Sequence, residues 1–359
     1  MRSIIDTLDL TVGEIDGLIA TAQDILADPA KYRSACQGKK LATLFFEPST
    51  RTRLSFEAAM YELGGQVLSV SGSDSSSAAK GESVADTAKV VSCYADIIAM
   101  RHPKEGAALV AARNATVPVI NAGDGGHCHP TQTLADLLTI HREKGRFDGL
   151  TVGLCGDLKY GRTVHSLISA LSRYDGVRFV LISPEELKLP EYVKTEVIGK
   201  HGLAYRETAC LEDVLGELDV LYMTRIQRER FDDPAAYERL KDSYVLTAEK
   251  MTHARPDCIV MHPLPRVTEI CVDFDRDPRA CYFKQVENGK YMRMALILKL
   301  LRDPTDRAET RETIEGRTCP NPHCITSCEQ ELKPLFRLSA DGKTVRCLYC
   351  ESALPDPGV

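Results

Sequence analysis

Between Leu41 and Met261 the chain repeats one rhythm: a short apolar run, a polar turn, then a stretch whose apolar residues fall three and four apart. The short runs predict strands at Leu41–Phe46, Val67–Val70, Ile97–Met100, Val117–Asn121, Leu150–Cys155, Val177–Ile182, Val220–Met223 and Ile259–Met261. The amphipathic stretches predict helices at Thr52–Leu63, Ser83–Tyr94, Thr131–Arg142, Arg162–Arg173 and Leu211–Gly216. An earlier helix starts at the capping box Thr11-Val12-Gly13-Glu14 and carries Ile15, Leu18, Ile19, Ala22, Ile25 and Leu26 at helical spacing. Strands that alternate with helices form parallel sheets covered on both faces. The expected fold is therefore α/β.

A chain of 359 residues has room for two such domains, at about 100–200 residues each. Gly145-Arg146-Phe147-Asp148-Gly149 is the candidate hinge. The expected boundaries are 1–145 and 146–287, with a closing helix near 288–303 that packs back on the first domain. Two segments break the rhythm. Ser69–Gly81 is a long Ser-rich loop, of the kind that is functional or unstructured. After Arg317 the periodicity stops and a cysteine-rich tail begins, expected to span 318–353.

Composition removes several function classes. A net charge of −6 without a long Lys/Arg run argues against a nucleic-acid partner. No apolar run reaches the roughly 18 residues of a membrane span. The start, Met1-Arg2-Ser3-Ile4-Ile5-Asp6, lacks the apolar core of a signal peptide, so a cytoplasmic location is expected.

The chemistry gathers where strands end. Phe45-Phe46-Glu47-Pro48 closes a strand, and Ser49-Thr50-Arg51-Thr52-Arg53 opens a helix. Free N–H groups and the positive dipole end of a helix suit a phosphate. One Ser or Thr would cap that helix; three hydroxyls and two guanidinium groups exceed capping. Arg101-His102 follows a later strand, and Asn121–Thr133 the next, with His127, His129 and Gln132. Gly156–Thr163 includes Arg162, Thr224–Gln227 includes Arg225, and His262-Pro263-Leu264-Pro265-Arg266 ends the series. Folding a sheet would make these cationic and polar ends converge.

In the tail, Cys319 and Cys324 form C-x4-C and Cys347 and Cys350 form C-x2-C, with 22 residues between the pairs. Two turns, each offering two thiolates, can close a tetrahedral zinc site. His323 and Cys328 are alternative ligands. A small tail with few apolar residues also needs such a staple.

These segments resemble those of aspartate carbamoyltransferase catalytic chains, over about residues 1 to 305. Pro48-Ser-Thr-Arg-Thr-Arg53 is shared with ornithine carbamoyltransferases and marks only the superfamily. More specific are His129-Pro130-Thr131-Gln132-Thr133, Lys159-Tyr160-Gly161-Arg162, Thr224-Arg225-Ile226-Gln227 and His262-Pro263-Leu264-Pro265-Arg266. The resemblance implies that carbamoyl phosphate and aspartate give carbamoyl aspartate and phosphate, in pyrimidine biosynthesis, without an organic cofactor. It implies that Ser49, Thr50, Arg51, Thr52 and Arg101 hold the phosphate. Thr52, Arg101 and His129 would polarise the carbonyl. Gln132 and the carbonyls around Pro263 and Leu264 would hold the carbamoyl amino group. Arg162 would bind the α-carboxylate of aspartate, and Arg225 with Gln227 the side-chain carboxylate.

The family's members are trimers in which a Ser and a Lys of a flexible loop enter the neighbouring subunit's site. Ser76 and Lys80 match that pair by position, with Ser75 and Ser77 beside Ser76. Two features depart from the family pattern: Ala79 stands where a second Lys is common, and His127-Cys128 precedes His129. Both are expected to be structural. The tail resembles the zinc-binding domain of the separate regulatory chain of aspartate carbamoyltransferase. The nucleotide-binding domain of that chain has no counterpart in this sequence.

Overall fold

A computed structural model describes residues 2–72, 77–226, 234–241, 243–302, 313–329, 332–339, 342 and 344–354. The chain divides into two compact units, Met1–Thr131 with Lys290–Val359, and Gln132–Gly289. The first unit therefore begins and ends the chain, and the second is inserted into it.

The first unit is built on four parallel strands: β1 (Lys40–Phe45), β2 (Gln66–Ser71), β3 (Ile97–His102) and β4 (Val119–Asp124). Their spatial order is β2-β1-β3-β4. All but the first residue of β1 and all of β4 are buried, as expected where helices cover both faces. The edge strand β2 is largely exposed. At the other edge, Ile4 pairs with Ile120 and closes the sheet. The helices are α1 (Val12–Ala27), α2 (Thr50–Glu62), α3 (Val84–Ser92) and α4 (Ala107–Asn114). The capping box at Thr11 forms as the sequence predicts, with Glu14 reaching back to the Thr11 N–H.

In the second unit five parallel strands run in the order β7-β6-β5-β8-β9. They are β5 (Thr151–Cys155), β6 (Arg178–Ile182), β7 (Ala204–Thr208), β8 (Val220–Met223) and β9 (Ile259–Met261). Between them lie α6 (Arg162–Leu171), the single turn α7 (Glu191–Val193) and α8 (Pro234–Leu240). Two helices link the units along the chain, α5 (Pro130–Lys144) and α9 (Tyr282–Arg302). The α9 helix starts six residues before the expected closing helix, and Arg293 on it donates to Ser55 at 3.1 Å in the first unit.

One expected helix does not form. Leu211–Gly216 is a set of turns that ends in the 3-10 turn Leu215–Glu217. Leu211, Val214, Leu215 and Leu218 are all buried there, so the apolar spacing is helical. The segment is too short to offset the cost of nucleating an α-helix.

The tail contributes β10 (Phe336–Leu338) and β11 (Val345–Cys347), an antiparallel pair. It packs on its own chain. Cys319, Cys324, Ile325, Phe336, Cys347, Tyr349 and Cys350 share one apolar cluster with Val84 and Ala88 of α3 and with Ala107, Val110 and Ala111 of α4. Gly106, at φ 86, is needed at this contact: a Cβ would lie 2.5 Å from that of Tyr349. The Glu105 N–H donates to His323 O at 3.0 Å, and the Ile325 N–H donates to Glu105 O at 2.9 Å. Val84 N–H donates to the Glu329 carboxylate at 2.7 Å.

Candidate active site

Strand order fixes where a ligand can sit. In an open parallel sheet the crevice lies beyond the carboxyl ends of the two strands at which the order reverses. In the first sheet those strands are β1 and β3. β1 runs into Ser49 and α2; β3 delivers Arg101. In the second sheet the reversal falls at β5 and β8. Their ends deliver Asp157 to Arg162 and Thr224 to Arg225.

The start of α2 gathers three hydroxyl side chains and two guanidinium groups at a helix N-terminus. Ser49 is its N-cap, yet its side chain makes no capping hydrogen bond. The first N–H groups of the helix are thus not satisfied by the cap residue. Thr50 and Arg51 are exposed, Ser49 is half-buried and Thr52 is buried. Arg53 turns along the helix toward Glu57, 3.6 Å away.

Arg101 and His129 meet across a glycine. The β3–β4 register shifts between Met100 and His102, so that Ala122 and Gly123 together face Arg101. Such a bulge re-aims side chains. Arg101 is buried, lies 2.9 Å from the Glu47 carboxylate and donates to Ala122 O at 3.3 Å. Gly123, at φ 120, leaves the necessary space: a Cβ there would stand 2.7 Å from Arg101 Nη1 and 3.4 Å from His129 Cδ2. His129 is also buried.

The loop that carries them is held from below by Asp124. This buried carboxylate accepts from Gly106 N–H at 2.9 Å, Cys128 N–H at 3.1 Å and Asn121 Nδ2 at 2.9 Å. His127 Nδ1 lies 3.0 Å from it. Burial by itself would raise the Asp124 pKa, but His127 and these donors hold it below the ordinary value. For His127 burial would lower the pKa, and Asp124 and Glu351 instead hold it well above the ordinary value. His127 is thus held by an ion pair with Asp124. His102 is structural: its ring lies edge-on to Phe46 and its Nδ1 accepts from Lys104 N–H at 3.0 Å. Burial lowers its pKa to about 4.

In the second unit a buried polar chain joins Gln132 to the His262 turn. Asp136 Oδ1 accepts from Gln132 Nε2 at 2.8 Å and from Gln285 Nε2 at 2.5 Å, and its Oδ2 accepts from the Tyr222 hydroxyl at 2.9 Å. Gln285 Oε1 in turn accepts from His262 N–H at 3.0 Å. The His262 Nδ1 accepts from Leu264 N–H at 2.8 Å, which puts the ring proton on Nε2, 2.8 Å from Glu269. Leu264 is held at φ 51 and is followed by a cis peptide bond to Pro265. Pro263 and Leu264 are half-buried. Arg266 makes a paired contact with Asp275 and lies 5.3 Å over the Tyr282 ring, which makes it structural.

Arg162 opens α6 behind Gly161, which has no side chain to cap the helix, and Arg225 follows β8; both are half-buried. Gly156, at φ 116, lets the ends of β5 and β8 touch: a Cβ would be 2.4 Å from Thr224 O. Asp157 N–H donates to Thr224 Oγ1 at 3.0 Å. Lys80 is exposed at the end of a 3-10 turn. Ser76 and Gln227 lie outside the described residues. No sequence motif assigns a partner to Glu47, Gly123, Asp136 or Gln285. Asp136 had one local signal, its position four residues after Gln132 on a helix.

In the tail, the sulfurs of Cys319, Cys324, Cys347 and Cys350 all lie within 4.8 Å of one another and all four residues are buried. Cys319 and Cys350 are 3.5 Å apart, and Cys324 and Cys347 3.8 Å. Four thiolates about 2.3 Å from a tetrahedral ion would be about 3.8 Å apart, so the set fits a metal such as zinc. Burial raises the pKa of the Cys319 thiol, so a cation that binds there must displace its proton. His323 and Cys328 stay outside the cluster.

Residues 2–142 match the family model "Aspartate/ornithine carbamoyltransferase, carbamoyl-P binding domain", and 148–300 match "Aspartate/ornithine carbamoyltransferase, Asp/Orn binding domain". Residues 312–356 match "Aspartate carbamoyltransferase regulatory chain, metal binding domain". The aspartate carbamoyltransferase catalytic subunit of Lachnoclostridium phytofermentans is 63% identical over 301 residues, which is 84% of this chain and 98% of the relative. That of Clostridium acetobutylicum is 60% identical over 300 residues, again 84% and 98%. The solved catalytic subunit of M. jannaschii aspartate transcarbamoylase superposes with a TM-score of 0.79 at 48% identity, covering 84% of this chain and 98% of that one. Aspartate transcarbamoylase from Trypanosoma cruzi, solved with carbamoyl phosphate and aspartate, gives 0.78 at 40% identity, covering 83% and 96%. The chain therefore belongs to the aspartate/ornithine carbamoyltransferase family of transferases, and carries in the same polypeptide a domain of the aspartate carbamoyltransferase regulatory chain.

Proposed function

We propose that this chain transfers the carbamoyl group of carbamoyl phosphate to L-aspartate, giving N-carbamoyl-L-aspartate and phosphate, a step of de novo pyrimidine biosynthesis. The observation that carries the reading is the meeting of Arg101 and His129 across Gly123. It sets two donors side by side, at the sheet end where α2 opens.

The roles follow from the chemistry of each group. Ser49, Thr50, Arg51, Thr52 and Arg101 take the phosphate, with the first N–H groups of α2. When the aspartate amine attacks, the carbonyl oxygen gains negative charge, and Thr52, Arg101 and His129 stabilise it. Preorganised donors in a site shielded from water act most strongly where charge develops. Gln132 gives its Nε2 hydrogen to Asp136, so its Oε1 is turned to accept from the carbamoyl amino group. The carbonyls of Pro263 and Leu264 accept from the same group. Aspartate has two carboxylates, and Arg162 and Arg225 match them, with Gln227 assigned to the same carboxylate as Arg225. An ornithine side chain would need an acid there instead. The leaving phosphate departs with the electron pair of the broken C–O bond and takes up the proton that the amine gives up as the C–N bond forms.

Zinc is the proposed ion of the tail, held by Cys319, Cys324, Cys347 and Cys350. Its role is structural: it ties together two turns of a segment with little core of its own. The proposed assembly is a homotrimer in the cytoplasm, with Lys80 and Ser76 completing the neighbouring subunit's site. Among the described residues no helix is long and apolar enough to cross a membrane.

Purified protein supplied with carbamoyl phosphate and either aspartate or ornithine tests the reaction. Carbamoyl aspartate alone is the expected product; citrulline alone, or neither, would overturn it. Shared sites are tested by mixing Lys80→Ala and Arg51→Ala subunits, each nearly inactive. Activity should return after verified subunit exchange, in the fraction of sites that receives both intact residues.

A further inference from the structure

The unusual His127 stands at the junction of the catalytic loop and the metal-binding tail. Its Nδ1 lies 3.0 Å from Asp124, and its Nε2 lies 3.9 Å from the carboxylate of Glu351, the residue that follows Cys350. The second contact is an ionic approach at the rim, since the Glu351 side chain remains 45% exposed. One residue earlier, Gly126 N–H donates to Glu105 at 3.1 Å, and the other oxygen of Glu105 accepts from Asn321 at 2.6 Å. Asn321 lies between the first two cysteine ligands. Two neighbouring residues of the loop therefore connect to the tail, two and three positions before His129.

The backbone of Glu351 adds an independent observation. It sits at φ 60, in the left-handed region where a glycine costs least. An acidic side chain is kept there against the local backbone preference. An outlier of that kind points to what its side chain does. The side chain reaches Arg337 on its own domain and His127 on the loop.

We infer that Glu351 and His127 form a brace by which the tail positions the Asn121–His129 loop, and with it His129 and Arg101, for the phosphorylated substrate. His127 is a positioning residue, since it acts through Asp124 and the loop backbone. The brace rests on the assignment of Arg101 and His129 to the phosphate side of the site.

The test uses the full-length, metal-loaded protein with Glu351→Gly, His127→Asn and the double variant. Glu351→Gly removes the carboxylate and suits the left-handed backbone, so the tail should keep its fold and its metal content. His127→Asn leaves the sequence of the tail unaltered and carries the test even if the other variant loses metal. Inorganic phosphate is the probe, titrated by calorimetry, and hydrogen exchange of the 121–129 peptide is followed in parallel. Each single variant should weaken phosphate binding by about 5- to 20-fold and speed exchange across Gly123–His129, and the double variant should be no worse than the more affected single one. Unchanged affinity and exchange in either single variant would overturn the brace, as would full additivity in the double one. Failure of phosphate to bind the unaltered protein, with exchange still coupled between the variants, would instead overturn the assignment of the site and with it the brace's role toward substrate, leaving only a mechanical link between tail and loop.

Discussion

At Gly123 a methyl group would collide with the guanidinium of Arg101, and no other residue type leaves the space that His129 and Arg101 share. This is where the sequence was both most and least informative. Arg101 and His129 were legible because Arg and His recur at strand ends. The groups that hold them were not, because a carboxylate such as Glu47 carries no signature of its partner until the sheet brings β1 and β3 together. Replacing His129 by Ala should cost on the order of 2.7–4 kcal/mol of transition-state stabilisation, about 100- to 1000-fold in kcat. Steady-state kinetics at saturating aspartate and carbamoyl phosphate would check it. A loss below tenfold would remove His129 from the polarising set.

Among the elements, α5 matters most, because it delivers Gln132 and Asp136 from one face. Asp136 accepts three hydrogen bonds and has no hydrogen to give when ionised. Burial and the Asp136 charge raise the Tyr222 pKa well above normal, so that hydroxyl stays a donor. Asp136→Asn would point an NH2 group at one of these donors, leaving a buried mismatch worth about 1–3 kcal/mol. Denaturant unfolding should show that loss, and kcat should fall with it as Gln132 loses its fixed orientation. The strand β3 ends on another titratable group. His102 has a folded pKa of about 4 against an ordinary 6.5, so the fold favours its neutral form. Its contribution is complete above about pH 6.5 and is lost as the pH falls toward 4. His102→Asn keeps an acceptor without titrating, so unfolding curves from pH 7 to pH 4 should fall less steeply than for the unaltered chain.

Element boundaries show how far local pattern reaches. The buried strands are legible because continuous apolar runs mark them. β7 carries no such mark, because Ala204-Tyr205-Arg206-Glu207-Thr208 is an edge strand, mostly exposed, held by backbone pairing to β6 rather than by burial. The short helix α4 also leaves little trace in the sequence: its core face is mostly alanine, which contrasts weakly with its surroundings. Leu211–Gly216 failed in the opposite sense, since its apolar spacing is satisfied by turns.

For the whole molecule, the tail is part of the core of the first unit rather than an appendage. Its cysteines and Phe336 pack with Val84, Ala88, Val110 and Ala111. Removing the metal with a chelator, or replacing Cys347 by Ser, should therefore lower the melting temperature of the first unit and expose apolar surface to a hydrophobic dye. Thermal scans with metal content measured alongside would check it. An unchanged melting temperature after complete metal loss would mean that packing alone holds the tail. The tail's cysteine spacing was legible as a metal site, whereas its docking face was not. That face depends on residues such as Gly106 and Glu105, whose partners lie more than two hundred positions away in the chain.

The same chain order has a consequence for biosynthesis. The first unit draws on residues at both ends of the sequence, with the second unit inserted between them. A ribosome makes the β1–β4 sheet early, yet α3 and α4 wait uncovered while all of Gln132–Gly289 and the rest of α9 are made. Only when the cysteine tail emerges can that surface close. The earliest-made half of this enzyme is thus the last to be finished, and the nascent chain offers chaperones an apolar face throughout that interval.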